Sequence, residues 1–246
     1  MIHHYDTRWA TYEPDGSTRL MTAEEKSQHA SPMPRYWVHE SEVDNKLDGR
    51  WDKSWFLGWR DICRATDERT VIGTLLPRVA VGNKIPLALA DRPLSDVAGL
   101  QAALSSFCLD FVARQKLGGT TMNYFIFMQL AVPSPDGLRL PNLKLGRSVG
   151  AWIGTRVDLL NAWVRDDVER AMIRSELDAL MLHVYGIGRE DAEHILESFP
   201  IVRAKDTKEF GEYRTKRLIL ERYDAMEAAI EGDEFYRSPF ESEVSA

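Results

Sequence analysis

The stretch that most constrains this chain runs from Trp51 to Val132, where short apolar runs set off by turn residues flank one long amphipathic segment. Lys53 to Ile62, carrying Trp55, Phe56, Leu57 and Trp59, predicts a half-buried strand, and Val71 to Leu76 a second one that Pro77 ends. Val79 to Val81 and Pro86 to Leu89 are short strand candidates on either side of the Gly82-Asn83 turn signal. Ser95 is placed to cap a helix whose apolar residues Val97, Leu100, Leu104, Phe107 and Phe111 recur every three or four positions, with Gly118 just past its end. Asn123 to Val132, rich in aromatic and branched residues, predicts a further strand closed by Pro133-Ser134-Pro135-Asp136-Gly137. Beyond that loop helical periodicity takes over, through Trp152 to Trp163, Asp167 to Tyr185, Glu190 to Phe199 and Glu212 to Ile230. The expectation is an α+β fold, with a mixed α/β recognition domain over residues 1–135 followed by an all-helical carboxy-terminal part over 136–246.

Length and charge narrow the function. A chain of 246 residues that is 44% hydrophobic has enough apolar material for a substantial core. No apolar run approaches the roughly 20 residues needed to cross a bilayer. The opening residues Met1-Ile2-His3-His4-Tyr5-Asp6 are no signal peptide, so a cytoplasmic protein with no membrane partner is expected. Thr22 and Glu25 form a capping-box pattern, and the prolines in Ser31 to Val38 favour an extended chain. Cys63 and Cys108 alone build neither a disulfide framework nor a zinc-ligand spacing. The net charge of -7 argues against indiscriminate nucleic-acid binding, which rests on Lys and Arg neutralising phosphates. Positive charge is nonetheless local. Between Arg50 and Lys84 the bases outnumber the acids, and the acidic excess lies in Glu40 to Asp48 and Glu227 to Glu243, with the end from Glu241 expected to be disordered.

The catalytic motifs in the chain each have a plainer role. Gly146-Arg147-Ser148-Val149-Gly150 matches a nucleophile elbow, yet the buried central strand and wound sheet that such a serine needs are not legible around it. His3, His4 and Asp6 lack the spacing of a metal site. There is no glycine-rich nucleotide loop and no Asn-Pro-Pro-Tyr, so no catalytic residue and no cofactor are assigned within the chain. Two basic clusters remain. Arg60, Arg64, Arg69 and Thr70 lie ahead of an apolar run, and Arg114 and Lys116 stand where the amphipathic segment ends. Arginines spaced among threonines at the mouths of elements suit recognition of phosphates and base edges. Tyr213, Arg214, Lys216 and Arg217 form a second, phosphate-facing candidate patch. The plainer alternatives are salt bridges to Asp61, Asp67 and Asp110 for the first set, and a solvated amphipathic face for the second.

Several runs in this chain resemble a known family. They are Met1 to Asp6, Arg8-Trp9-Ala10-Thr11-Tyr12, Pro34-Arg35-Tyr36-Trp37-Val38, Arg60-Asp61-Ile62, Arg69-Thr70, Leu76-Pro77 and Asp110 to Gly119. The series continues with Gln129-Leu130, Val132-Pro133, Tyr185-Gly186, Ile195-Leu196, Phe199-Pro200-Ile201-Val202 and Gly211 to Leu220. In this order they are similar to the carboxy-terminal target-recognition region of large adenine-specific DNA methyltransferases, of the type IIG-like restriction-modification enzymes and phage-defence methylases. The resemblance implies sequence-specific binding of double-stranded DNA. It also implies a catalytic domain, the holder of S-adenosylmethionine, ahead of Met1, so that methyl transfer falls to no residue of this chain. The alternative is a helical assembly subunit that docks onto a separate methyltransferase or helicase-nuclease partner.

Overall fold

The structure, a computed structural model, describes residues 2–162 and 166–240. Trp163 at the end of one expected helix and the acidic end from Glu241 lie outside the described residues. The fold is α+β, with two small antiparallel sheets and a helical carboxy-terminal part. Among the described residues no single helix is long and apolar enough to cross a membrane.

A hairpin of β1 (Ala10–Tyr12) and β2 (Thr18–Leu20) opens the chain and turns at Gly16, whose φ of 83° favours glycine. The capping box at Thr22 and Glu25 is present and starts α1 (Ala23–Ser27). Helix α2 (Glu40–Leu47), which the sequence reading leaves unassigned, follows an irregular segment.

The second sheet has β3 (Trp55–Trp59) in the middle, flanked by β4 (Gly73–Pro77) and β5 (Leu87–Ala88). Successive side chains of a strand point to opposite faces. Leu57 and Trp59 accordingly pack with Val71, Val97, Leu104 and Leu109, while Phe56 packs with Trp51 and Leu76 on the other side. Val79 to Val81 forms no strand.

The single helix expected from the Ser95 cap to just before Gly118 ends where expected but is two helices. α3 (Leu94–Ser105) and α4 (Phe107–Lys116) meet at 65°. Ser106 breaks them apart: its backbone is extended, its hydroxyl donates to the Ala103 carbonyl at 2.7 Å, and it caps the second helix. Pro93, not Ser95, precedes the first helix. The strand expected over Asn123 to Val132 is also corrected. Asn123 accepts the Ile126 N–H at 3.0 Å and nucleates a short helix, α5 (Tyr124–Phe127), which sets Phe127 face to face on Trp59 at 3.8 Å.

The remaining helices are α6 (Val149–Ala162), α7 (Asp167–Val184), α8 (Arg189–Glu197), α9 (Pro200–Phe210) and α10 (Arg214–Glu231). Ser148, the elbow candidate, accepts the Ala151 N–H at 3.2 Å at the start of α6. α9 begins at a proline in the first helical turn, a permitted place for it. The largest core joins Ala98 and Ala102 of α3 and Phe107 of α4 to Trp152, Val157, Leu180 and Met226 from the later helices. Hydrophobic packing is therefore continuous across residue 135.

The amino-terminal segment is tied down by polar groups. A buried Asp6–Lys26 ion pair at 2.8 Å holds one side, and His4 Nε2 donates to the Val71 carbonyl at 2.7 Å.

Candidate functional site

The two sequence-predicted basic clusters converge on one carboxylate. Asp110 on α4 is wholly buried. Arg69 Nε donates to its Oδ2 at 2.7 Å, the Thr70 N–H reaches both oxygens at 3.1 Å, and Arg114 Nε lies 3.5 Å from Oδ1. Arg69 also donates to the Ser105 carbonyl at 2.7 Å and lies over the Phe107 ring at 4.0 Å. Arg114 donates to the carbonyls of Asp67 and Glu68 at 2.7 and 3.0 Å and covers the Phe199 ring at 3.9 Å. Burial pulls the Arg114 guanidinium below its ordinary range, and the Asp110 charge opposes that pull. These three predicted residues hold the protein together: Arg69, Thr70 and Arg114 lock the 64–70 loop to α4 and to the Ser198-Phe199 turn.

What the hub holds in place is an outward edge. The Cys63 N–H donates to the Thr120 carbonyl at 3.2 Å and the Met122 N–H to the Asp61 carbonyl at 2.7 Å, so the loops at 60–70 and 117–122 run side by side. Arg64, Thr66, Gly118, Gly119 and Thr120 are exposed on them, Lys116 is exposed at the end of α4, and Arg60 is half-buried. The side chains of Arg60, Arg64 and Lys116 have no ion-pair partner among the described residues. Burial pushes the Cys63 thiol up to about 11, leaving it protonated at neutral pH.

The second cluster is engaged elsewhere. Tyr213 donates its hydroxyl to the Leu196 carbonyl at 2.9 Å, and Arg214 stacks on Phe210 at 4.5 Å. Lys216 reaches Glu193 and Glu197 at 2.6 Å each, and Arg217 pairs with Glu212 at 2.9 Å and Glu221 at 2.8 Å. Lys216 thus staples α10 to α8, while Arg214 has no ion-pair partner among the described residues. No hydrogen bond or ion pair joins this patch to the edge among the described residues.

Beside the hub lies a cavity of about 280 Å³ between the amino-terminal segment, Arg69, α7, α9 and α10. Sequence reasoning missed it, although Arg170, Arg174 and Asp178 recur every fourth residue on one face of α7, an unusual pattern on a helix otherwise this buried. Asp178 accepts the Phe107 N–H at 2.8 Å. Burial raises its carboxyl to about 6, against the opposing pull of Arg69 and that N–H. The folded protein therefore binds a proton here more tightly than the unfolded chain does. Stability contributed by protonated Asp178 is present at low pH and is lost as pH rises from about 4 through about 6. Asp178→Asn removes this part of the slope: between those pH values the wild type loses more unfolding free energy than the variant, by about 2 kcal/mol, in urea titrations. Parallel profiles would contradict the assignment.

No protein family, curated protein or solved structure matches the chain.

Proposed function

We propose that this chain is the double-stranded DNA target-recognition module of a cytoplasmic adenine-specific DNA methyltransferase or restriction-modification system. Methyl transfer, with its S-adenosylmethionine, belongs to a separate catalytic domain or subunit. The observation that carries the reading is the unpaired cationic edge of Arg60, Arg64 and Lys116. The acids nearest to it are already engaged: Asp61 with Lys84 at 3.0 Å, Asp67 with the Arg64 N–H at 2.9 Å, and Asp110 with Arg69 at 2.7 Å. A molecule of net charge -7 thus presents local positive charge beside exposed glycines and threonines, the chemistry that phosphates and base edges accept. The resemblance to target-recognition regions supports the same assignment. Arg69, Thr70 and Arg114 position that edge from behind.

Titration of a fluorescent duplex by anisotropy tests it. Lys116→Ala weakens all duplexes alike and reduces the salt slope by about 1, whereas Arg64→Ala costs about 1–3 kcal/mol on the preferred sequence and relaxes one position. Unchanged binding by both variants would contradict the assignment.

A second reading has its own observation. Phe125 is 76% exposed and Met128 81% at α5, and Trp37 is 77% exposed in the extended segment. Large exposed apolar groups suit a docking role on a separate methyltransferase or helicase-nuclease subunit. Copurification with such a subunit, together with no duplex affinity of the chain alone at moderate salt, favours this reading over the first.

A further inference from the structure

We infer that the cavity beside α7 is a binding site for one phosphate-class oxyanion, held by Arg174 and His3. The inference does not rest on the duplex reading, because neither residue lies on the loops that carry the cationic edge.

Arg174 is the reason. It projects from α7 into the cavity, its Nε is enclosed, and that atom has no hydrogen-bond partner. Its guanidinium reaches only the His4 carbonyl, at 3.5 Å, a distance at which a hydrogen bond is weak. No carboxylate forms an ion pair with it among the described residues. Burial accordingly pulls the guanidinium below its ordinary range. Asp6 and Asp178 lie near enough to oppose that pull, yet neither comes within ion-pair distance, so the enclosed Nε keeps an unmet hydrogen-bonding capacity that an added oxyanion would satisfy.

The other cations around the cavity are already neutralised. Arg69 is paired with Asp110 at 2.7 Å and Lys205 with Glu68. That leaves Arg174 as the cation of the lining with no ion pair among the described residues.

His3 supplies the second group. Its Nδ1 is enclosed and unpartnered, and the ring is fixed by stacking on Trp9 at 4.3 Å. Burial, and then the charge of Arg174, lower its pKa to about 3, so it faces the cavity as a neutral imidazole able to offer one N–H. A fork of guanidinium donors with an imidazole donor matches the tetrahedral oxygens of phosphate.

The acids on the lining set the limit on size and charge. Asp178 is occupied by the Phe107 N–H at 2.8 Å and Asp206 by the Thr215 N–H at 2.5 Å, while Glu209 is exposed. With Glu68, which Lys205 pairs, they make four acids on the lining, and each further phosphate group adds repulsion against them, so a single phosphate is the better match; about 280 Å³ leaves room for a small polar body attached to it.

The probe is inorganic phosphate, added to the full chain while its thermal unfolding is followed, with sodium chloride at matched ionic strength as the control. At about 100 times Kd, phosphate raises the unfolding midpoint of the wild type by roughly 5–10 °C. Arg174→Gln abolishes that shift. Should Arg174→Gln fail to fold, Arg174→Lys decides: a smaller shift than the wild type supports the site, and an equal one overturns it. No phosphate effect beyond chloride in the wild type, or an equal shift in Arg174→Gln, also overturns it. A labelled duplex that competes with phosphate identifies DNA as the source of the group, and lack of competition identifies a free phosphate or its monoester; either supports the site.

Discussion

Asp110→Ala lowers the unfolding free energy by about 3–5 kcal/mol, the range for removing one partner of a buried ionic network. Asp110 is the common acceptor for Arg69 at 2.7 Å and the Thr70 N–H at 3.1 Å, with Arg114 beside it at 3.5 Å. Without the carboxylate, Arg69 keeps only the Ser105 carbonyl as acceptor, Thr70 holds an orphaned N–H in the core, and the positive charges of Arg69 and Arg114 face each other unscreened. Asp110→Asn retains an acceptor and loses less. Urea unfolding followed by tryptophan fluorescence checks both. A loss below about 1 kcal/mol for Asp110→Ala would mean that the network contributes nothing beyond packing.

Phe199→Ala has a comparable effect, about 3–5 kcal/mol, for a different reason. Its ring is buried, meets Phe107 edge-on at 4.7 Å, and carries Arg114 on its face at 3.9 Å. The substitution opens a cavity in the largest core and removes the surface on which Arg114 lies. Both changes loosen Arg114, so the double variant Asp110→Ala/Phe199→Ala departs from additivity by about 0.5–3 kcal/mol. Additive losses would separate the ring from the network. Either variant also loosens the 64–70 loop, so on the proposed function duplex affinity is expected to fall with stability although neither side chain lies on the cationic edge.

The parts of the fold that were legible in the sequence are those in which local preference and burial agree. β3 and β4 carry bulky residues bounded by turn signals, and the capping box at Thr22 is a purely local device. The errors have equally physical causes. Tyr124 to Phe127 has strand composition, yet the Asn123 cap and the stacking of Phe127 on Trp59 favour a helical turn. The apolar rhythm from Val97 to Phe111 continues smoothly through Ser106, where a serine hydroxyl competing for backbone groups ends one helix and starts the next.

For the site, the sequence showed where the positive charge is concentrated but not which way it points. Arg69 and Arg114 sit in the same clusters as Arg64 and Lys116, and only tertiary packing turns the first pair inward and leaves the second pair in solvent. Asp110, one of the three acids considered as salt-bridge partners, proves to be the group around which the loop is organised. The unpaired guanidinium of Arg174 left no trace beyond its spacing from Arg170 and Asp178 on α7.

Recognition of DNA through the cationic edge is tested most directly by selection of bound duplexes from a randomised pool, performed in parallel with the wild-type chain and with Arg60→Ala/Arg64→Ala/Lys116→Ala. The wild type is expected to enrich one short sequence, and the triple variant, folded to the same thermal midpoint, to enrich none. No enrichment by the wild type, or the same enriched sequence from both proteins, would contradict recognition of DNA through this edge.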